Sequence, residues 1–354
     1  MKKFKFWLIL FFIIIITSFI GGEIIVRIYD KIKGVSAPYT HNLPECIAIP
    51  SGYYNYDIQP NLSIMYDSKN PRKFTINKWG FRSPNYNPIK PKNISRIFCL
   101  GGSSTFDPYV SDEQSWTNLL GEKLSKKLNH KVESINAGRF GYTTSEIVGL
   151  LHHRVVRHQP DLIILYSTFN DASRRLSPYY GADDGPQLYG NTTLRFLNQH
   201  SALFAFLDFK FRYVLNSDIY IKLIPNSSNY KDPPIQHLKF IRNSKRANNY
   251  VVKTFERNVK TIVSIAKNNN IKILLSTQIF EANLPKTIMV HRLDSVLRKI
   301  SKIEKIPLLE FNTSKKEKYI KSGILKSYVH LTKKGCRYLS EKISNKIISD
   351  SLIH

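Results

Sequence analysis

Ser103, Gly141, Asn170 and His330 have the types and order to carry out acyl transfer together. A serine hydroxyl is a weak nucleophile until a base takes its proton. Ser103 follows the apolar run Ile97-Phe98-Cys99-Leu100 and two glycines, Gly101 and Gly102, that let the backbone turn. His330, in Val329-His330-Leu331-Thr332, is the preferred base, with Thr332 able to cap the helix after it. An acyl-transfer transition state develops an oxyanion, which needs preorganised donors. The Ser103 N–H, the Gly141 N–H and the Asn170 amide can supply them. Ser104, one residue later, is the alternative nucleophile. Taken singly, each residue has a plainer role: Ser103 as a helix N-cap, the glycines as turn formers, Asn170 as an Asx-turn residue. Their placement at successive strand ends favours the joint role. His152 and His153 fall mid-helix and read as surface residues.

The elements that must position these groups alternate strand with helix. Strands are expected over 96–100, 132–135, 162–166, 271–275 and 307–311. Between them, apolar residues recur at helical spacing. These are Trp116, Leu119, Leu120, Leu124 and Leu128; Ile147, Leu150, Leu151 and Val155; Val251, Val252, Phe255, Val259 and Ile262; Leu293, Val296, Leu297 and Ile300; and Leu339, Ile343 and Ile347. Such repeats give an α/β fold with a parallel sheet covered on both faces, and ligands bind at its carboxyl edge. Residues 172–245 interrupt the alternation with an aromatic-rich insertion carrying Gly-Ala-Asp-Asp-Gly-Pro at 181–186. It is too long for a bare loop and is expected to cap one side of the sheet with helices of its own. Residues 27–92, rich in Tyr, Asn and Pro, read as an irregular lead-in that packs on the domain at 93–354. Trp79-Gly80-Phe81-Arg82 within it is a candidate docking turn.

The chain has 354 residues and a formal net charge of +27, from 53 Lys+Arg against 26 Asp+Glu. That balance suits anionic partners such as lipid headgroups or acidic glycans. The basic residues are scattered rather than clustered, and without a zinc-finger or RNA-binding signature no specific nucleic-acid partner is expected. Cys46, Cys99 and Cys336 make no disulfide framework, and no pair has metal-ligand spacing; no metal and no cofactor are expected. At the amino terminus, basic residues precede an uncharged run from Phe6 to Gly22, which Ile24, Ile25 and Val26 extend. Without a convincing small-residue cleavage site, residues 1–26 read as one uncleaved transmembrane anchor, the alternative being a cleaved signal peptide. Lysines and arginines flank both ends almost equally. Since large domains translocate largely regardless of charge, the body is expected outside the cytoplasm.

Four segments in order, Gly101-Gly102-Ser103-Ser104-Thr105, Asn136 to Thr143, Phe169-Asn170-Asp171 and Ser327 to Thr332, resemble the SGNH (GDSL-like) hydrolase superfamily, in particular its membrane-anchored bacterial branch. The resemblance covers roughly residues 74–350. It implies a flavodoxin-like three-layer α/β/α sandwich and metal-free ester hydrolysis or acyl transfer. Three departures stand out. Gly102 replaces the aspartate of Gly-Asp-Ser, Thr168 stands where a glycine is usual, and Ser327 replaces the aspartate that orients the histidine. Either Ser327 or a main-chain carbonyl holds His330, or Glu310 or Asp171 substitutes, or the site is degenerate. The expected function is a membrane-anchored serine esterase acting on an acylated cell-surface glycan or lipid. The alternatives are an acyltransferase of the same fold and a non-catalytic surface-polysaccharide assembly or binding protein.

Overall fold

The computed structural model describes residues 2–32, 48–49, 57–66, 72–174, 197, 200–209, 245–281, 287–311 and 319–353. Cys46, the run at 181–186 and most of the expected insertion lie outside these residues. The chain divides into two compact units: Met1–Ile49 with Leu62–Phe74 and Leu188–Asn229, and Pro50–Asn61 with Thr75–Gln187 and Tyr230–His354.

The second unit is built on a five-stranded sheet. Its strands are β1 (Ile94–Gly101), β2 (Lys131–Asn136), β3 (Leu162–Tyr166), β4 (Lys272–Ser276) and β5 (Leu308–Leu309). They lie in the order β2-β1-β3-β4-β5, all neighbours parallel. All eight residues of β1 are buried, as a central strand covered on both faces requires. Alternate residues along β1 serve opposite layers. Ile97 and Cys99 join Trp116, Leu120 and Leu124 of helix Trp116–Leu128 and Leu339, Ile343 and Ile347 of helix Lys333–Ser349 in one apolar cluster. Helices Thr144–Leu150, Lys245–Asn268 and Thr287–Glu304 form the other layer. Their Ile147, Phe255, Val259, Leu293 and Leu297 are buried. The three-layer α/β/α sandwich with a parallel sheet is therefore present, and the chain reverses direction across the sheet between β1 and β3, the switch point where such folds bind ligands.

The lead-in at 27–92, expected to be irregular, carries the end of the N-terminal helix and short strands at Asp57–Ile58, Leu62–Tyr66 and Arg72–Ile76, and two elements of the alternation also differ from expectation. β5 is two residues long rather than 307–311, because its outer end is tied by a side chain. Phe311 N donates to Thr277 Oγ1 (2.8 Å), while Leu309 O still accepts from Thr277 N (3.0 Å). The helix after β2 runs from Thr144 to Leu150, widens into a π-turn over Leu151–Val155 and tightens to a 3₁₀ turn at Val156–His158. Ile147, Leu150, Leu151 and Val155 are nevertheless all buried, and His152 is exposed.

Trp79 to Arg82 docks on this unit. Asn77 Oδ1 accepts from Trp79 N (2.9 Å) and Phe81 N (3.0 Å). Gly80 sits at φ +77°, and a Cβ there would lie 3.0 Å from Ile58 O, so a glycine is needed on both counts. Phe81 then packs edge-on against Phe98 and His158.

In the first unit, helix Lys2–Ile32 runs unbroken for 31 residues. Its stretch Lys3–Tyr29 is long and apolar enough to cross a membrane, or to serve as a signal sequence. Helix Ala202–Phe209 packs beside it, with Ala202 and Val26 fully or nearly fully buried.

Candidate active site

β1 stops where two glycines fit into tight space. A Cβ on Gly101 would collide with Thr105 Oγ1 and the Tyr166 carbonyl; one on Gly102 would collide with Asn170 Nδ2. The chain then turns into the short helix Ser103–Phe106, closed by Asp107 in the left-handed region (φ 63°). Thr105 N and Phe106 N donate to Gly102 O, and Asp107 N donates to Ser103 O.

Four side chains clamp this turn. Arg82, its side chain 1% exposed, donates to the carbonyls of Phe106, Asp107 and Val110 and pairs with Asp112 at 2.8 Å. Asn136, at the end of β2, donates to Thr105 O (2.7 Å). Gln278, just past β4, accepts from Thr168 N (2.8 Å) and Phe169 N (2.7 Å) and donates to Ser104 Oγ (2.6 Å). Asp107 Oδ2 accepts from Trp116 N (3.0 Å) and from the Cys336 thiol (3.6 Å). Ser104 is buried inside this network, and its carbonyl accepts from Trp116 Nε1. Its hydroxyl is engaged by Gln278, whereas the Ser103 hydroxyl lies beside a histidine.

Ser103 Oγ lies 2.8 Å from His330 Nε2, although 227 residues separate them. His330 is carried on a tight loop. Leu325 and Leu331 form an isolated antiparallel bridge, Lys326 N donates to His330 O (2.8 Å), and Glu281 N donates to Tyr328 O (2.9 Å). Thr332 caps the last helix by accepting from Gly335 N (3.1 Å). Ser327 Oγ lies 2.8 Å from His330 Nδ1. One tautomer satisfies both contacts productively: Nδ1–H donates to Ser327 Oγ and the Ser103 hydroxyl donates to Nε2.

The two other acids considered for the aspartate's place are engaged elsewhere. Glu310 pairs with Arg298 near the surface. Asp171 accepts from Thr144 N and Thr144 Oγ1 (2.6 Å), bracing the start of helix Thr144–Leu150. Asn258 extends this brace by donating to Thr144 Oγ1 and Ser145 Oγ.

Beside Ser103, the Asn170 amide donates to Tyr142 O (2.8 Å), leaving its second hydrogen for another acceptor. Tyr142 O lies 3.5 Å from the Cβ position of Gly102, so the ends of β1, β2 and β3 converge on Gly102. Gly141, with φ +69°, immediately precedes Tyr142 in that turn.

Burial sets the electrostatics. Desolvation pushes the His330 imidazole down to about 4, so it is neutral, and a proton acceptor, over most of the pH range. Desolvation pushes Asp107 up to about 7, opposed by its bond from Trp116 N and by Arg82. Cys99 is raised to about 12, again by burial, and Cys336 is raised further in the same direction.

Arg82, Asn136, Asp107 and Gln278 were not assigned to the site from sequence. Arg82 lies in the docking turn Trp79–Arg82 and Asn136 opens the segment Asn136–Thr143. Asp107 and Gln278 carried no local signal; each acts through contacts distant along the chain.

The sequence model of the GDSL-like lipase/acylhydrolase family matches residues 99–338, more than half of the chain. Solved structures with a similar fold include three hydrolases. A lipase/acylhydrolase from Enterococcus faecalis is 16% identical, with a TM-score of 0.43, covering 72% of this chain and 96% of that one. A GDSL-like lipase from Bacteroides thetaiotaomicron is 14% identical, with a TM-score of 0.40 and coverage of 73% and 89%. The acetyl xylan esterase AlAXEase is 14% identical, with a TM-score of 0.46 and coverage of 71% and 99%. No curated protein matches by sequence.

Proposed function

Because the chain belongs to the GDSL-like lipase/acylhydrolase family, we propose that it is a membrane-anchored serine esterase that hydrolyses O-acyl esters through an acyl-enzyme. The observation that carries this reading is the 2.8 Å contact between Ser103 Oγ and His330 Nε2. Ser103 Oγ attacks the ester carbonyl as its proton passes to His330 Nε2. The oxyanion is met by the Ser103 N–H, which heads its helical turn and has no intrahelical acceptor, by the Gly141 N–H and by the Asn170 amide. Collapse of the tetrahedral intermediate breaks the bond to the alcohol oxygen, which takes the proton from His330. Water then attacks the acyl-enzyme by the same route, its proton going to His330 and back to Ser103 as the free acid departs.

Ser327 orients His330 by accepting from Nδ1–H. As a neutral hydroxyl it gives the imidazolium less stabilisation than a carboxylate would. In a serine protease triad, a neutral amide in place of the aspartate costs about 10⁴ in turnover by imposing the wrong tautomer; the Ser327 hydroxyl avoids that loss and forgoes only the carboxylate's charge. A slow esterase follows, with the base already in its neutral form at acidic pH. The net charge of +27 and the apolar N-terminal helix support an anionic or membrane-associated glycan or lipid ester as substrate, with the domain outside the cytoplasm.

The test is a fluorophosphonate probe on the full-length protein in mild detergent, read by peptide mass spectrometry. Adduct at Ser103, lost in His330→Ala, is the expected result; Ser103→Ala abolishes both labelling and ester hydrolysis. Failure to label beside a reactive control esterase overturns the reading in favour of a binding or assembly protein, which the hydroxyl at position 327 favours. Transfer to an added glycan acceptor in place of free acid would make the enzyme an acyltransferase.

A further inference from the structure

Glu23 is the first charged residue after the uncharged run Phe6–Gly22 of the N-terminal helix, and its carboxylate is fully employed. It accepts from Ser201 Oγ (2.8 Å), Ala202 N (3.0 Å) and Leu203 N (2.9 Å). Arg27 Nε donates to it at 2.7 Å, and Arg27 also donates to His200 O (3.2 Å). Glu23 thus caps the start of helix Ala202–Phe209, supplying an acceptor to backbone donors that no helix can satisfy internally. A carboxylate in a membrane-spanning helix is costly unless it is paired and hydrogen-bonded, and this one is both.

The capped helix reads Ala-Leu-Phe-Ala-Phe-Leu-Asp-Phe. It is apolar on nearly every face, a pattern that calls for burial in protein or lipid. At eight residues, about 12 Å, it is too short to span a bilayer. Its approach to the N-terminal helix is close: a Cβ on Gly22 would lie 2.9 Å from Leu203 Cδ2, the small-residue contact that lets membrane helices pack. Tyr29 meets Phe206 edge-on. Outward from this contact, Leu207 remains 42% exposed, and along the N-terminal helix the apolar side chains from Phe4 to Ile20 are mostly exposed as well.

A span of about 20 residues crosses the hydrocarbon core. Counted from Phe6, it ends near Glu23 to Val26. The capping site therefore falls where the helix leaves the membrane, the level favoured by aromatic side chains such as Tyr29.

Resting on the membrane-anchored reading above, we propose that helix Ala202–Phe209 is seated in the lipid interface beside the N-terminal helix, with Glu23 as the clamp. The apolar face carrying Leu207 is then covered by lipid. The N-terminal helix is also a permanent part of the fold, since its removal would strip the cap from its partner.

The test uses full-length protein in native membrane vesicles and, after purification, in phosphatidylcholine liposomes, with Cys46→Ser as background. Single cysteines are placed at Leu207 and, as an aqueous control on an exposed site, at Lys321. A membrane-impermeant maleimide is expected to label Lys321→Cys readily and Leu207→Cys at least about 10-fold more slowly, as burial among lipid requires, until detergent is added. A Gly22→Cys/Leu203→Cys pair is expected to crosslink under mild oxidation. Rapid labelling of Leu207→Cys in intact membranes, with the protein still resistant to alkaline carbonate extraction, overturns the lipid-seated helix but leaves the anchor standing. Extraction by carbonate, or a mature chain lacking residues 1–26, overturns the anchor itself. Protection in native membranes that is lost in liposomes assigns the face to another protein and overturns the proposal.

Discussion

The two halves of the Ser103–His330 pair are held in very different ways. The nucleophile's turn is fixed by a guanidinium, two amides and a buried carboxyl group, drawn from residues 82, 136, 278 and 107. Among the described residues, the histidine's ring has one side-chain hydrogen-bond partner besides Ser103, the Ser327 hydroxyl, and an edge contact with Tyr109. Position is therefore specified strongly on one side, while on the other no charge that would stabilise an imidazolium stands beside the ring among the described residues. On the proposed function, preorganising the nucleophile and powering the base are separable tasks, and the described residues keep the first without the second.

Breaking the strong side is expected to have the largest effect. Arg82→Met leaves three carbonyls and Asp112 without their buried donor and should cost about 3–5 kcal/mol, read as a lowered denaturation midpoint. A midpoint within experimental error of wild type would mean the clamp is redundant. Gly102→Ala separates positioning from folding. Its methyl group meets the movable Asn170 amide rather than backbone, so the protein should fold normally. Displacing one oxyanion donor should then lower kcat about 10²-fold with KM little changed. Unaltered kcat would remove Asn170 from the oxyanion site.

Ser327→Asp sharpens the comparison from the weak side. A carboxylate at Nδ1 favours the imidazolium, so turnover at pH 8 should rise by about 10-fold or more. In wild type, the acid limb of kcat/KM should fall near pH 4, where His330 gains its proton; in the variant it should move upward. Lower activity with an unmoved limb would exclude Ser327 as the orienting group. The same depressed value also affects folding. Below about 6.5 the unfolded chain binds this proton before the folded one does, so stability contributed by His330 falls as pH drops toward 4.

Asp107→Asn tests the smallest effect. Its raised value of about 7 means that the folded protein holds a proton the unfolded chain has released above about 3.8. The stability tied to this group is present at low pH and is lost as pH rises through 7. Asparagine also tolerates the left-handed backbone at this position. The variant should match wild type near pH 3.5, where the carboxyl group is protonated in both states, and its advantage should grow as pH rises toward 7 and level off above it, measured by urea unfolding. A pH-independent difference would show that the carboxyl group does not titrate there.

Local signals in the sequence sufficed for much of this architecture. Periodicity marked the buried faces of the helices, and β3 spans the same residues that its apolar run indicated. Ser103 and His330, which the fold brings to 2.8 Å, each lie at the end of a recognisable segment. Gln278 was not legible, because its role depends on Ser104, 174 residues away, and nothing around it distinguishes it from a solvated glutamine. Arg82 stood within a turn already marked for docking, yet its reach to three carbonyls follows only from tertiary packing. The short β5 and the π-turn at Leu151–Val155 likewise reflect long-range hydrogen bonding and packing that periodicity does not encode.

The separation of Ser103 and His330 along the chain also governs when the site comes into being. Chains are synthesised from the amino end, and long-range contacts are slow because loop closure precedes any gain from them. Ser103 leaves the ribosome early, whereas the loop of His330 and the helix Lys333–Ser349 that completes its layer are among the last to emerge. On the proposed function, a chain still being made therefore carries an unactivated serine, and the chemistry switches on only when the C-terminal helix has docked.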